Sequence, residues 1–157
     1  MLTKFPVRWT VTLGIHKTPE AYEQALEAEG FKIDDSARYI LKKVRCSENH
    51  VEIHLTSATV AELGFPNGVF RKDLHAAILA QGGQLCHAEV GPALRMLLKN
   101  QPKGEWLLID MEAISDSAGV PSVFNVEHDS DGLWLYPNCD FPRNCLFPKD
   151  QIVFVVP

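Results

Sequence analysis

The sequence predicts an α+β fold: one domain over residues 1–157, with an N-terminal strand and helices leading into a mostly antiparallel C-terminal β-sheet. Three observations predict it. Helix caps and 3.6-residue periodicity gather between Thr18 and Lys99, while period-2 alternation dominates from Glu105 onward. The third is size, since 157 residues at 46% hydrophobic content can bury one core without disulfide or metal staples.

Val7 to Gly14 alternates Val7, Trp9, Val11 and Leu13 with Arg8, Thr10 and Thr12, the pattern of a half-buried strand. Thr18 then caps a helix with Pro19 at its first position, Tyr22 and Leu26 on its apolar stripe and Gly30 as its stop. Asp34, Asp35 or Ser36 caps a second helix through Lys43, and His50 to Leu55 reads as a strand. Thr59 and Glu62 have capping-box spacing ahead of a short helical turn ending at Gly64, followed by a turn at Phe65 to Gly68. Phe70 to Gln81 and Gly91 to Lys99 are the next helices, the latter opened by Pro92. Strands are expected at Glu105 to Ile114, Pro121 to His128, Gly132 to Tyr136 and Gln151 to Val156. The last, an apolar run, is placed either centrally in the sheet or across a homodimer seam.

The chemistry-bearing residues concentrate in the three consecutive strands. Setting Ile114 opposite Pro121 places Asp110 across from Asn125 and Leu108 across from Glu127, so the polar residues share one face. The Asp131-Gly132 turn sets Trp134 and Tyr136 beside Glu127 and Asn125. The candidate ligand surface is therefore Trp106, Asp110, Glu112, Asn125, Glu127, Trp134 and Tyr136, with Arg95 on the helix before it. Carboxylates among aromatic rings suit a cation, Mg²⁺ or Mn²⁺, or acid–base chemistry on a stacked ligand. An open antiparallel face with solvated acids gives the same pattern.

Other constellations have ordinary structural readings beside the functional ones. Glu127, Asp129, Asp131 and Gly132 match early calcium-loop positions, but Leu135 and Asn138 stand where later ligands belong, which favours a hairpin turn. Cys86, His87 and Glu89 are adjacent without an orienting acid, so Cys86 reads as a small buried thiol. Gly91 and Pro92 open a helix that can hold an anion near Arg95 or simply initiate. His50 and His54 share a strand side without a third ligand. Cys139 and Cys145 flank a Pro-containing loop and are expected to stay reduced.

Net charge of −5 disfavours nucleic acid and anionic membrane surfaces, and no apolar run approaches the roughly 18 residues of a membrane span. The N-terminus lacks a signal-peptide pattern, which points to the cytoplasm. Helices before an acidic hairpin also follow the element order of a winged helix, with Arg95 and Lys99 on its last helix.

Leu85 to Arg95 (LCHAEVGPALR), Pro102 to Ser117 (PKGEWLLIDMEAISDS), Asp131 to Leu135 (DGLWL) and Val60 to Phe65 (VAELGF) resemble segments of a family of short bacterial proteins. The resemblance spans roughly residues 7 to 136. It implies a bacterial source and brings no activity, ligand or catalytic residue with it. The function expected is a non-catalytic module that binds a small molecule or a protein, without cofactor or resident metal. The alternatives are a metal-dependent hydrolase using Asp110, Glu112 and Glu127, and a winged-helix-like nucleic-acid binder.

Overall fold

The computed structural model describes residues 5–157, and its fold is α+β. Its main sheet takes β1 (Trp9–Leu13), β2 (Lys32–Ile33), β3 (Val51–Thr59), β5 (Trp106–Ile109), β6 (Ile114–Ser115), β7 (Pro121–Asp129), β8 (Gly132–Cys139) and β10 (Gln151–Val155). A second, two-stranded ribbon joins β4 (Val69–Phe70) to β9 (Cys145–Leu146). The helices are α1 (Pro19–Ala28), α2 (Asp35–Leu41), α3 (Arg71–Ala80) and α4 (Val90–Leu97).

The caps form as their chemistry dictates. Thr18 Oγ1 accepts from the Ala21 amide at 3.1 Å, and Asp34 Oδ1 accepts from Ser36 at 2.9 Å. Thr59 and Glu62 close a reciprocal capping box at 2.9 and 3.1 Å, but the turn behind it ends at Gly64 without becoming a helix.

Strand order is β1-β3-β10-β5-β7-β8-β2, with β6 beside β7. The sheet is mixed where a mostly antiparallel one is expected, because β10 runs parallel to β5 and β2 runs parallel to β8. The terminal apolar run thus lies at the centre, between β3 and β5, with Ile152, Val153 and Phe154 all fully buried. A strand covered on both faces reads as continuously apolar, which is why Ile152 to Val156 shows no alternation.

Both faces are covered. Phe124, Val126 and Leu135 point toward α4, where a Cβ on Gly91 would come within 2.4 Å of the Phe124 ring; a hydrogen at that position lets the helix approach. Leu108, Ile152 and Phe154 point the other way, toward α3 and the following turn, where Gly83 meets Ile78 and Phe154 at the same kind of distance. The β4–β9 ribbon continues this second layer, tied down by the Arg71 and Lys72 amides donating to Asn144 and Pro142 carbonyls. The face bearing the candidate residues is consequently a partly roofed surface.

Candidate functional site

Strands β7 and β8 pair as expected, with Asn125 across from Tyr136 and Glu127 across from Trp134. Strand β5 is displaced by two residues from the expected register: Trp106 faces Glu127 and Leu108 faces Asn125. A shift of two keeps every side chain on its expected side. The single strand expected over Glu105 to Ile114, however, breaks after Ile109. The Asp110 amide still donates to Val153 at 2.9 Å and its carbonyl accepts from Cys86, but β6 resumes with Ile114 opposite Ser122. Asp110 to Ala113 bulges out of the β7 ladder, and Asp110 and Glu112 leave the row in which Glu127 sits.

The row therefore divides into two parts. In the first, Trp134 and Tyr136 stack at 4.8 Å, Lys32 lies 5.4 Å from the Trp134 ring, and the Tyr136 hydroxyl donates to Asp129 at 2.9 Å. Burial, with the Asp129 bond, pushes the Tyr136 phenol up to about 12. Asn125 donates to Glu127 at 3.2 Å, and desolvation followed by the nearby Asp129 charge raises the Glu127 carboxyl. These groups pair largely with one another, while Asn125 Oδ1 is buried without a hydrogen-bond partner among the described residues.

The second part is concave. A cavity of about 340 Å³ is walled by Leu74, Leu108, Met111 and Val123 and carries Arg71, His75, Asp110, Glu112 and Asp140. Asp110 is 9% exposed, and its Oδ2 lies 3.0 Å from His75 Nδ1. Burial raises the Asp110 carboxyl above its ordinary value, and the His75 hydrogen bond opposes this. Arg71 Nη1 donates to Asp140 at 3.1 Å and Nη2 to Asn138 at 2.7 Å. Burial outweighs that attraction, lowering the Arg71 guanidinium and raising the Asp140 carboxyl. Arg71 also borders a neighbouring cavity of about 300 Å³ with Trp106 and Asn138, so it separates two hollows on one sheet face.

Of the expected surface residues, Asp110 and Glu112 share the first cavity, Glu112 at its exposed rim, and Trp106 lines the second. Asn125, Glu127, Trp134 and Tyr136 form the self-paired half. Arg95 belongs to neither. It is fully buried on the opposite face, a correction to its expected place at a ligand or nucleic-acid surface. Only α3 and α4 stand between β3 and the hairpin, so the three-helix order of a winged helix is absent. Gly91 and Pro92 are buried as well, which closes that helix start to an anion.

Three smaller readings resolve as structural. Asp129 Oδ1 accepts from the Asp131 and Gly132 amides at 2.8 and 3.1 Å, a side-chain-capped hairpin turn. Cys86 is buried with its thiol pushed well up by desolvation, and Cys139 and Cys145 are exposed free thiols. His54 meets Thr10 across the β1–β3 pair at 3.0 Å. Among the described residues no group of three or more His, Cys, Asp or Glu side chains is placed to hold a metal ion.

Arg71, His75 and Asp140 are not among the sequence-derived candidates. The signal lies in the spacing: Arg71, Leu74, His75 and Ile78 recur at i, i+3, i+4 and i+7, so two polar side chains occupy the inward stripe of α3.

The Asp110 carboxyl yields a testable sign. A folded-state value above the unfolded one stabilises fully below the unfolded value and is lost as pH rises through the folded value. In a His75→Gln background, Asp110→Asn is expected to gain melting temperature relative to its parent as pH rises from about 4 to 7. A pH-independent difference between the two melting curves rejects the desolvated carboxyl.

No family model, curated protein or solved structure matches this chain.

Proposed function

We propose that this chain is a small ligand-binding module whose site is the cavity carrying Asp110, His75, Arg71 and Asp140. The observation behind this reading is the Asp110–His75 pair: a desolvated carboxylate fixed at 3.0 Å to an imidazole on the wall of a hollow. Burying such groups costs stability, and groups of this kind cluster at binding and catalytic sites. The volume is within the range of small-molecule sites, about 300–1,000 Å³. Apolar walls with carboxylates beside one guanidinium favour a small organic molecule that offers hydrogen-bond donors. No helix among the described residues is long and apolar enough to cross a membrane, and the proposed compartment is the cytoplasm.

The test follows the imidazole resonances of His75 by NMR while small organic amines and amides are titrated in. Binding is expected to move the His75 signals and to weaken at least tenfold in Asp110→Asn. Ligands that bind without moving His75, or equally well in the variant, reject this site. The same titration with Mg²⁺ or Mn²⁺ addresses the metal-dependent hydrolase reading, for which Asp110 and Glu112 share a cavity while Glu127 lies on the self-paired half of the face.

A further inference from the structure

The edges of the main sheet are unequal. One ends in the two-residue β2, while the other is β1, five residues that pair only with β3 among the described residues. Half of the backbone N–H and C=O groups of β1 therefore face outward with no ladder partner. Edge strands are ordinarily protected by charge, proline or a bulge. Trp9 to Leu13 carries neither charge nor proline, and its five-residue pairing with β3 is continuous.

Beneath this edge, on the α1/α4 side, lies a groove of about 470 Å³ walled by Val11, Tyr22, Ala93 and Met96, with Ile15 and Leu97 at its rim. Ile15 and Leu97 are 52% and 47% exposed. Among the described residues that line the groove, Glu29 and Lys99 bind each other at 2.5 Å, and His16 is the remaining titratable side chain.

We propose that β1 is the seam of a two-fold dimer, in which the β1 strands of two copies pair antiparallel and join their sheets. The sequence favours a second copy as occupant because the strand matches itself. Centred on Val11, the register sets Thr10 against Thr12 of the other copy and Trp9 against Leu13, hydroxyl opposite hydroxyl and aromatic opposite aliphatic, both favourable cross-strand pairs. No charge on the strand meets a like charge across it, although each chain carries −5 overall. Val7 and Ile15, 51% and 52% exposed, flank the strand, Ile15 lying beyond the turn at Gly14. A closed two-fold pairing also consumes both free edges, so that assembly stops at two.

Light scattering after size exclusion is expected to give twice the chain mass for the unaltered protein. Directly opposed Cβ atoms lie about 4.5–5.5 Å apart, so Thr10→Lys with Thr12→Lys sets ammonium against ammonium across the two-fold and is expected to give the monomer. Thr10→Glu with Thr12→Lys sets carboxylate against ammonium and is expected to restore the dimer. Thr10 is exposed and Thr12 half-buried, and a melting curve for each variant checks the fold. Independently of any variant, amide exchange in Trp9–Leu13 of the unaltered chain is expected to speed up on dilution. A monomer at all concentrations overturns the proposal, as does a dimer that survives the double-lysine change. So does a monomer whose β1 amides are protected only by an added strand-forming peptide.

Discussion

Glu89→Ala is expected to destabilise the protein by about 3–5 kcal/mol, the cost of removing one partner from a buried charged network. Glu89 is fully buried, and three donors from three separate segments converge on it. The Gly14 amide and the Tyr22 hydroxyl donate to Oε2 at 2.7 and 2.5 Å, and the Ser47 amide donates to Oε1 at 2.7 Å. Gly14 turns the chain after β1 at φ +82°, where a side chain would strike the Asn49 carbonyl. Burial, with the Glu89 bond, pushes the Tyr22 phenol far above its ordinary value. Glu89→Gln retains one acceptor oxygen and turns its NH₂ toward a donor, so its cost is expected to fall between those of the parent and Glu89→Ala. At about 2–4 °C per kcal/mol for a chain of this size, the alanine variant should melt roughly 10 °C below its parent. Melting of Glu89→Ala within a few degrees of the parent would remove the carboxylate from its structural role.

Arg95→Met is the second large effect, expected at about 3 kcal/mol. The guanidinium is fully buried and donates through Nη1 to Gln101 Oε1 at 2.8 Å and to the Glu127 and Trp134 carbonyls at 3.0 and 3.1 Å. Through Nη2 it reaches the Leu98 carbonyl at 2.6 Å, closing the end of α4, and its central carbon lies 5.2 Å from the centre of the Phe31 ring. Two effects oppose each other here. Burial pulls the guanidinium down to about 10, so removing the charge relieves a desolvation cost. Against that, methionine fills the volume but withdraws a donor from four acceptors; the Glu127 and Trp134 carbonyls keep their place in the β7–β8 ladder, while Gln101 Oε1 and the Leu98 carbonyl lose the guanidinium, at about 1–3 kcal/mol each. The acceptors win. Arg95→Lys is expected to recover little, because one ammonium cannot span α4, β7 and β8 as the planar fork does. Denaturant unfolding of both variants checks the order, and an Arg95→Met protein as stable as its parent contradicts the network.

How much of this was legible depends on whether a feature is local. The β7–β8 hairpin could be read because Asp131-Gly132 fixes the turn and alternation then fixes the pairs. The face of β5 survived a two-residue error in register because a strand repeats every two residues. The break at Asp110 could not be read, since alternation continues through Glu112 whether or not a neighbouring strand is there to pair; at Asp110 the carbonyl takes its donor from Cys86, a distant segment. Arg95 shows the more useful lesson. Gly91, Leu94, Arg95 and Leu98 are spaced i, i+3, i+4 and i+7, as are Arg71, Leu74, His75 and Ile78. In both helices the polar residue on the apolar stripe faces inward, to a structural network in α4 and to the candidate cavity in α3. A charge on such a stripe is better read by its angular position than by its hydrophilicity.

The central place of β10 bears on how the chain acquires its shape during synthesis. Among the described residues, strands β1 and β3 on one side, and β5, β7 and β8 on the other, are joined in the sheet only through residues 151–155. Until that segment has left the ribosome, β3 and β5 each present an open edge and Leu55, Leu107 and Ile109 lack their flanking neighbour. The two parts of the sheet therefore become one only when β10 pairs with both, a topology of long sequence separations that slows folding.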